Sequence, residues 1–189
     1  MLNCGAKTMD RLAVVMPTYT IRPALEDMAV ANAKIWREQC DDLIITEDGG
    51  VQSPALRYLS SFYLYHQNVG VCNSMRLAWL VALIRRADYV FITDSDVTLE
   101  HGSLRDLCVP GRVTVPRINQ HPDTAFTAPC LCVPRTVSNE RGIYPESIDG
   151  FHRDDGFDAA YAQQIHDLVM KINTVRVNHI GGATRHGNV

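Results

Sequence analysis

Apolar and polar blocks alternate along the first hundred positions of the chain. Residues 11–16 form a short apolar run that Pro17 is expected to stop, giving a first strand. Pro23 suits the first position of a helix, and Leu25, Met28, Ala29, Ile35 and Trp36 follow it at helical spacing as one apolar face. Residues 42–46 read as a second strand, closed by Glu47-Asp48-Gly49-Gly50. A short helix over 53–61 and a third strand over 62–66 come next. Residues 71–86 predict a helix: Leu77, Ala78, Val81 and Ile84 share a face, and Arg85 and Arg86 complement the dipole at its end. Tyr89-Val-Phe-Ile-Thr93 is near-continuous apolar and β-branched, as a strand buried on both faces should be, and it runs directly into Asp94-Ser-Asp96.

Strand and helix thus alternate three times. Such alternation predicts an α/β domain: a mostly parallel central sheet with helices on both faces. Right-handed crossovers then put every strand's C-terminal end on one edge. The loops at 17–22, 47–50, 67–73 and 94–96 are expected to converge there, where open α/β sheets bind their ligands. The second half is less regular. Residues 107–122 read as loop with short strand pieces, 124–133 as a strand interrupted by Pro129, and 147–158 as an acidic, glycine-bearing loop. A helix is expected over 159–172 and a final strand over 174–179. No repeat or second domain is visible, so 1–189 reads as one domain, with a break in character near residue 100.

Composition narrows the class. The chain has 189 residues, 46% hydrophobic and 21% charged, with a net charge of -3. A global basic field of the kind that advertises nucleic acid is excluded. No apolar run approaches the roughly 20 residues of a membrane helix. The first ten residues lack the apolar centre of a signal peptide, so the reading is cytoplasmic. Six cysteines occur without any C-x-x-C pair, which argues against a zinc knuckle and for reduced thiols.

Asp94 and Asp96 either hold a divalent cation, Mg²⁺ or Mn²⁺, or cap a turn. Their place at the end of a buried strand points to the cation. Glu47-Asp48 can accept hydrogen bonds from a base or ribose, or simply belong to a D-G turn. Asn68 and Gly70, just before a helix, suit a phosphate or an ordinary N-cap. Arg76, one turn further, reaches a diphosphate or only solvent. His179 is either a cation ligand or a solvated imidazole.

Taken together these segments resemble glycosyltransferases of the GT-A fold, family 2 above all. Met16-Pro-Thr-Tyr-Thr-Ile-Arg-Pro23 is similar to the family's opening "PTYNRP". Ile45-Thr-Glu-Asp-Gly-Gly50 resembles "VDDGS", and Gln67-Asn-Val-Gly70 resembles "NxG". Thr93-Asp-Ser-Asp96 matches the D-x-D, Gly156-Phe-Asp158 resembles "GFDE", and residues 177–184 resemble the terminal histidine segment. The motif order holds over nearly the whole chain.

The resemblance implies a GT-A-like, Rossmann-like domain. Residues 11–100 would form the nucleotide-sugar half and 101–189 the acceptor half. It implies a nucleotide-diphosphate sugar donor, most naturally a UDP-sugar. Pro17, Thr18, Tyr19 and Asp48 would hold the nucleoside. Arg22, Asn68, Gly70, Arg76 and Asp94 would also contact the donor. Asp94, Asp96 and His179 would bind Mn²⁺ or Mg²⁺. The chain departs from the family at the "ED" pair that supplies the general base. Tyr161-Ala-Gln-Gln-Ile-His-Asp167 has glutamines near that place, leaving Asp155, Asp158 and His166 as candidates. The acceptor could be a glycan, a protein or a hydroxymethylated DNA base. For the last, Arg112, Arg117, Arg135, Arg141, Arg153 and Arg185 offer positive charge. Two other readings are a binding module that keeps the crevice without catalysis, and a sugar-nucleotide nucleotidyltransferase. The second needs a glycine-rich loop after the first strand, which residues 17–22 lack.

Overall fold

The computed structural model describes residues 10–119, 130–143 and 156–180, with side chains in the last stretch from Tyr161 onward. Strands β1 (Leu12–Thr18), β2 (Asp42–Asp48), β3 (Phe62–His66) and β4 (Tyr89–Ile92) alternate with helices α1 (Pro23–Gln39), α2 (Pro54–Leu59) and α3 (Val71–Ile84). β5 (Val97–His101), a 3-10 turn (Leu104–Leu107), β6 (Val113–Ile118), β7 (Leu131–Pro134), α4 (Arg135–Arg141), α5 (Gly156–Ile165) and β8 (Val169–His179) follow. The eight strands form one sheet in the order β3-β2-β1-β4-β7-β6-β8-β5.

That sheet is mixed rather than mostly parallel. Pairs β1–β2, β2–β3, β1–β4 and β6–β8 are parallel, whereas β4–β7, β6–β7 and β5–β8 are antiparallel. A parallel neighbour needs a crossover, usually a helix, to bring the chain back. The first half has those helices. Between β5 and β6 only the 3-10 turn intervenes, and the rule of alternation fails there.

Two apolar layers flank the sheet. On one face Leu12, Val14 and Met16 pack with Ala29, Ala33 and Trp36 of α1 and Leu56 of α2. On the other, Ala13, Val15 and Ile44 pack with Met75, Ala78 and Trp79 of α3, Val137 of α4 and Tyr161 and Ile165 of α5. Trp36 meets Phe91, and Trp79 meets Tyr161 edge-on, each with centroids 5.6 Å apart.

Two expectations are corrected. Pro17 does not stop β1; it pairs in register with Thr46 of β2. The Val15 carbonyl accepts from Thr93 N on the β4 side, and alternate residues of a strand point their polar groups the same way. Pro17 therefore turns its missing N–H toward β4, whose pairing has already ended at Ile92. The expected helix over 159–172 ends at Ile165, and β8 begins at Val169 and pairs with β6 from Val113 onward. An apolar run such as Leu168–Ile172 suits either state, and a distant parallel partner decided it.

Candidate active site

β1, β2, β3 and β4 are parallel, and two antiparallel steps through β7 and β6 make β8 parallel to them. Their C-terminal ends therefore share one edge. Strand order reverses between β1 and β4, the switch point at which such sheets bind ligands.

Asp94 and Asp96 follow β4 at that switch point, and β8 delivers His179 from the other side. Val97 pairs with His179, Ile180 N donates to the Asp96 carbonyl at 3.1 Å, and Val97 N donates to the Asp94 carbonyl at 3.3 Å. One ligand atom from each of Asp94, Asp96 and His179 lies within 4.8 Å of the others; Asp96 is buried and the other two half-buried. The His179 Nε2 stands 3.4 Å from Asp96 Oδ1. The hydrogen bond to Asp96 raises the imidazole's pKa; burial opposes that shift, and the charges of Asp96 and Asp94 reinforce it.

Two carboxylates and one imidazole are a donor set that suits Mn²⁺, while Mg²⁺ would rely on the carboxylate oxygens. Ligands of such an ion lie at most roughly 4.2 Å from one another, twice a bond of about 2.1 Å. The cluster would close by a few tenths of an ångström to hold one.

Beneath the turn, Asn32 of α1 is buried and its Nδ2 donates to the Ser95 carbonyl at 2.8 Å. The sequence reading missed Asn32, although a lone amide among Leu25, Ala29, Ala33 and Trp36 was the signal available: a buried polar group has a partner to find.

The nucleoside candidates gather around the ends of β1 and β2. Pro17 and Thr18 are buried in β1, Tyr19 is half-buried just past it, and Arg22 is the exposed N-cap of α1. Thr18 Oγ1 donates to Glu47 Oε2 at 2.6 Å, and Thr20 N donates to Glu47 Oε1 at 2.9 Å. Glu47, fully buried, ties the two loops together and was not singled out from its neighbour Asp48 beforehand. A side chain at Gly50 would collide with Glu47 Oε1 and with Thr20 N, so glycine is required beside this tie.

Asp48 accepts from Val69 N at 2.7 Å, and its Oδ1 lies 3.3 Å from His66 Nδ1. Burial pushes its carboxyl up; the Val69 and Gly70 amides and His66 offset this only in part. The His66 Nε2 lies 3.4 Å from Ser74 Oγ. Carboxylate, imidazole and hydroxyl in this order resemble a hydrolytic relay. Ser74, however, is fully buried and donates to Thr46 Oγ1 at 2.9 Å, so the row braces β2, β3 and α3. Gly70, with φ 88°, begins α3, and its N–H is held by Asn68 Oδ1 at 3.2 Å. Arg76 is half-buried in the next turn of that helix.

The structure does not bring His166 into this crevice. It is exposed, with Nδ1 2.9 Å from the Gln163 carbonyl, and precedes the start of β8. His179 ends that 11-residue strand, so the two imidazoles are separated by roughly 30 Å of extended chain. Its neighbour Asp167 is bound by Arg141 at 2.9 Å. Asp155 and the side chain of Asp158 lie outside the described residues. Of the arginines considered for a phosphate backbone, Arg135 donates to the Ala87 and Leu83 carbonyls, Arg141 to Asp167 and Arg112 to the Asp167 carbonyl. Arg117 is exposed on β6, and Arg153 and Arg185 lie outside the described residues. No helix among the described residues is long and apolar enough to cross a membrane.

No family model and no curated protein sequence matches the chain. Solved structures do. The mannosyltransferase PcManGT from Pyrobaculum calidifontis, in complex with GDP-Man and Mn²⁺, superposes with a TM-score of 0.63 at 14% identity over 89% of this chain and 56% of that one. S. aureus TarS superposes at 0.66 with 12% identity over 89% of this chain and 36% of its own. TarS 1-349 in complex with UDP gives 0.64 at 11% identity, over 89% and 60%. The chain spans 36% to 60% of the length of these proteins. With the switch-point crevice and the motif order, they establish that this chain has a GT-A-like glycosyltransferase fold.

Proposed function

We propose that the chain transfers a sugar from a nucleotide-diphosphate donor, a UDP-sugar in the first instance, to an acceptor hydroxyl. The observation that carries this reading is the meeting of Asp94, Asp96 and His179 at the switch point of the sheet. These three would hold Mn²⁺ or Mg²⁺. When bound, such an ion offsets the negative charge of a departing diphosphate, an effect on the order of several kcal/mol. Thr18, Tyr19, Glu47 and Asp48 surround the end of β1 and would receive the nucleoside; Gly70 and Arg76 would face the phosphates.

Asp155 or Asp158 would take the acceptor's proton; Asp155 directly precedes α5 in sequence and Asp158 belongs to its first turn, which supports this. The test is a thermal melt. Mn²⁺ with UDP should raise the Tm of the wild-type chain, and Asp96→Asn should abolish that shift while still folding. A wild-type chain indifferent to every nucleotide diphosphate would overturn the assignment. Binding with no transfer and no donor hydrolysis across an acceptor panel would favour the non-catalytic binding module instead.

A further inference from the structure

Across β6, β8 and β5, three nitrogen-bearing side chains stand in one row. Arg117 of β6 is in register with Arg176 of β8, and Arg176 is in register with His101 of β5. All three are exposed. Val175, Val177 and Ile118 point into the α1 layer, so Arg176 and Arg117, which alternate with them, face the opposite side of the sheet. Adjacent strands are about 4.8 Å apart, so the two guanidinium groups spring from neighbouring points. Like charges directly opposite one another destabilise a sheet. Among the described residues no carboxylate forms an ion pair with either arginine; the nearby Glu100 accepts a hydrogen bond from Asn119. The other sheet-edge arginines of this molecule are engaged: Arg11 and Arg85 with Asp42, and Arg105 with Asp41.

We infer that Arg117 and Arg176 clamp a phosphate monoester. A monoester dianion balances two guanidinium charges, and the planar fork of arginine matches its oxygens in pairs. His101 offers a further N–H at one end of the row. Arg176 precedes His179 by three residues on the same strand, roughly 10 Å at the usual rise, and this odd spacing turns the two side chains to opposite faces of β8. Nucleic acid fits less well, because single strands bind on aromatic platforms. The residues flanking Arg176 on its face, Thr174 and Asn178, are not aromatic.

This inference stands apart from the transferase reading, and so does its test. Glycerol 3-phosphate would be titrated into the full-length chain and followed by NMR, with inorganic phosphate as competitor and a ten-nucleotide single strand as a second probe. Wild type should bind glycerol 3-phosphate, and Arg117→Gln with Arg176→Gln should weaken binding at least about tenfold. The double variant should keep its Tm or gain slightly, because a repulsion is removed, and its UDP–Mn²⁺ shift should be unchanged. Equal binding by the double variant would overturn the clamp. So would a marked preference for the oligonucleotide through the same arginines. A wild type that binds glycerol 3-phosphate through these arginines yet ignores UDP–Mn²⁺ would keep the clamp and defeat the transferase reading.

Discussion

β2 begins and ends on a buried aspartate, and the two ends behave oppositely. At the N-terminal edge of the sheet, burial works against the Asp42 charge, but hydrogen bonds from Arg85 and Arg11 outweigh it and hold the carboxyl below its usual value. Arg85 lies at 2.9 Å and Arg11 at 2.6 Å. At the C-terminal edge, Asp48 has amides and an imidazole for partners, and burial wins and pushes its carboxyl up. One strand and one residue type thus give a clasp at one end and a costly, poised charge at the other. Asp41 with Arg105 and Asp167 with Arg141 are likewise paired with arginine. Glu47, Asp48 and Asp96 meet hydroxyl, amide or imidazole instead. One edge is built for stability, and the other carries charge that a cation or ligand can complete.

Breaking the ligand edge should have the largest effect on activity. Asp96→Ala should abolish the Mn²⁺–UDP thermal shift and lower transfer by more than about a thousandfold, read as kcat/KM, since several kcal/mol of charge stabilisation depends on the site. A variant that keeps wild-type transfer would break the contrast outright.

Removing the clasp should act on stability alone. Asp42→Ala should cost about 1–3 kcal/mol by urea unfolding at neutral pH and leave the nucleotide shift in place. The sign follows from the lowered carboxyl. Its contribution is fully present above the unfolded value near ~4 and is lost as pH falls through the folded one. Wild type and variant should therefore converge in acid. A constant gap across pH would show that packing, not charge, holds this end.

Asn32→Ala tests the support beneath the cation turn. It strands a buried carbonyl, so about 1 kcal/mol of stability should go, together with a several-fold rise in the Mn²⁺ Kd measured by calorimetry. Loss of stability with unchanged Mn²⁺ affinity would confine Asn32 to a packing role.

The smallest change is the most diagnostic. Asp48→Asn keeps an acceptor for Val69 N while removing a charge the fold disfavours. Stability at neutral pH should rise by a few tenths to ~1 kcal/mol, and UDP binding should weaken. Because the folded carboxyl titrates above its unfolded value, this gain should fade as pH falls through that raised value. A destabilised Asp48→Asn would place Asp48 with Asp42 as a structural anchor.

The sequence foretold the half of the molecule in which local pattern and tertiary role agree. β2, β3 and the helices begun by Pro23 and Val71 could be read because their apolar spacing matches the layers they fill. The second half could not be read in the same way. β8 needs β6 as a partner, with Val113 opposite Val169 and Ile118 opposite Val177, a separation no local window contains. The carboxylates at 94 and 96 were legible from their place after a buried strand. Glu47 was overshadowed by Asp48 beside it, because only the fold shows Thr18 and Thr20 turning toward it. His166 failed for a topological reason: it belongs to the opposite edge.

The pairing of β5 with β8 also sets a schedule. Asp94 and Asp96 emerge early in synthesis, but the imidazole that completes their cluster arrives with the last described strand. A nascent chain on the ribosome carries two clustered carboxylates and an unpaired β5 until His179 clears the exit tunnel. If the cluster binds Mn²⁺ as proposed, cation capture would report the docking of β8 on β5, and a pulse-chase assay of Mn²⁺ retention would time that step.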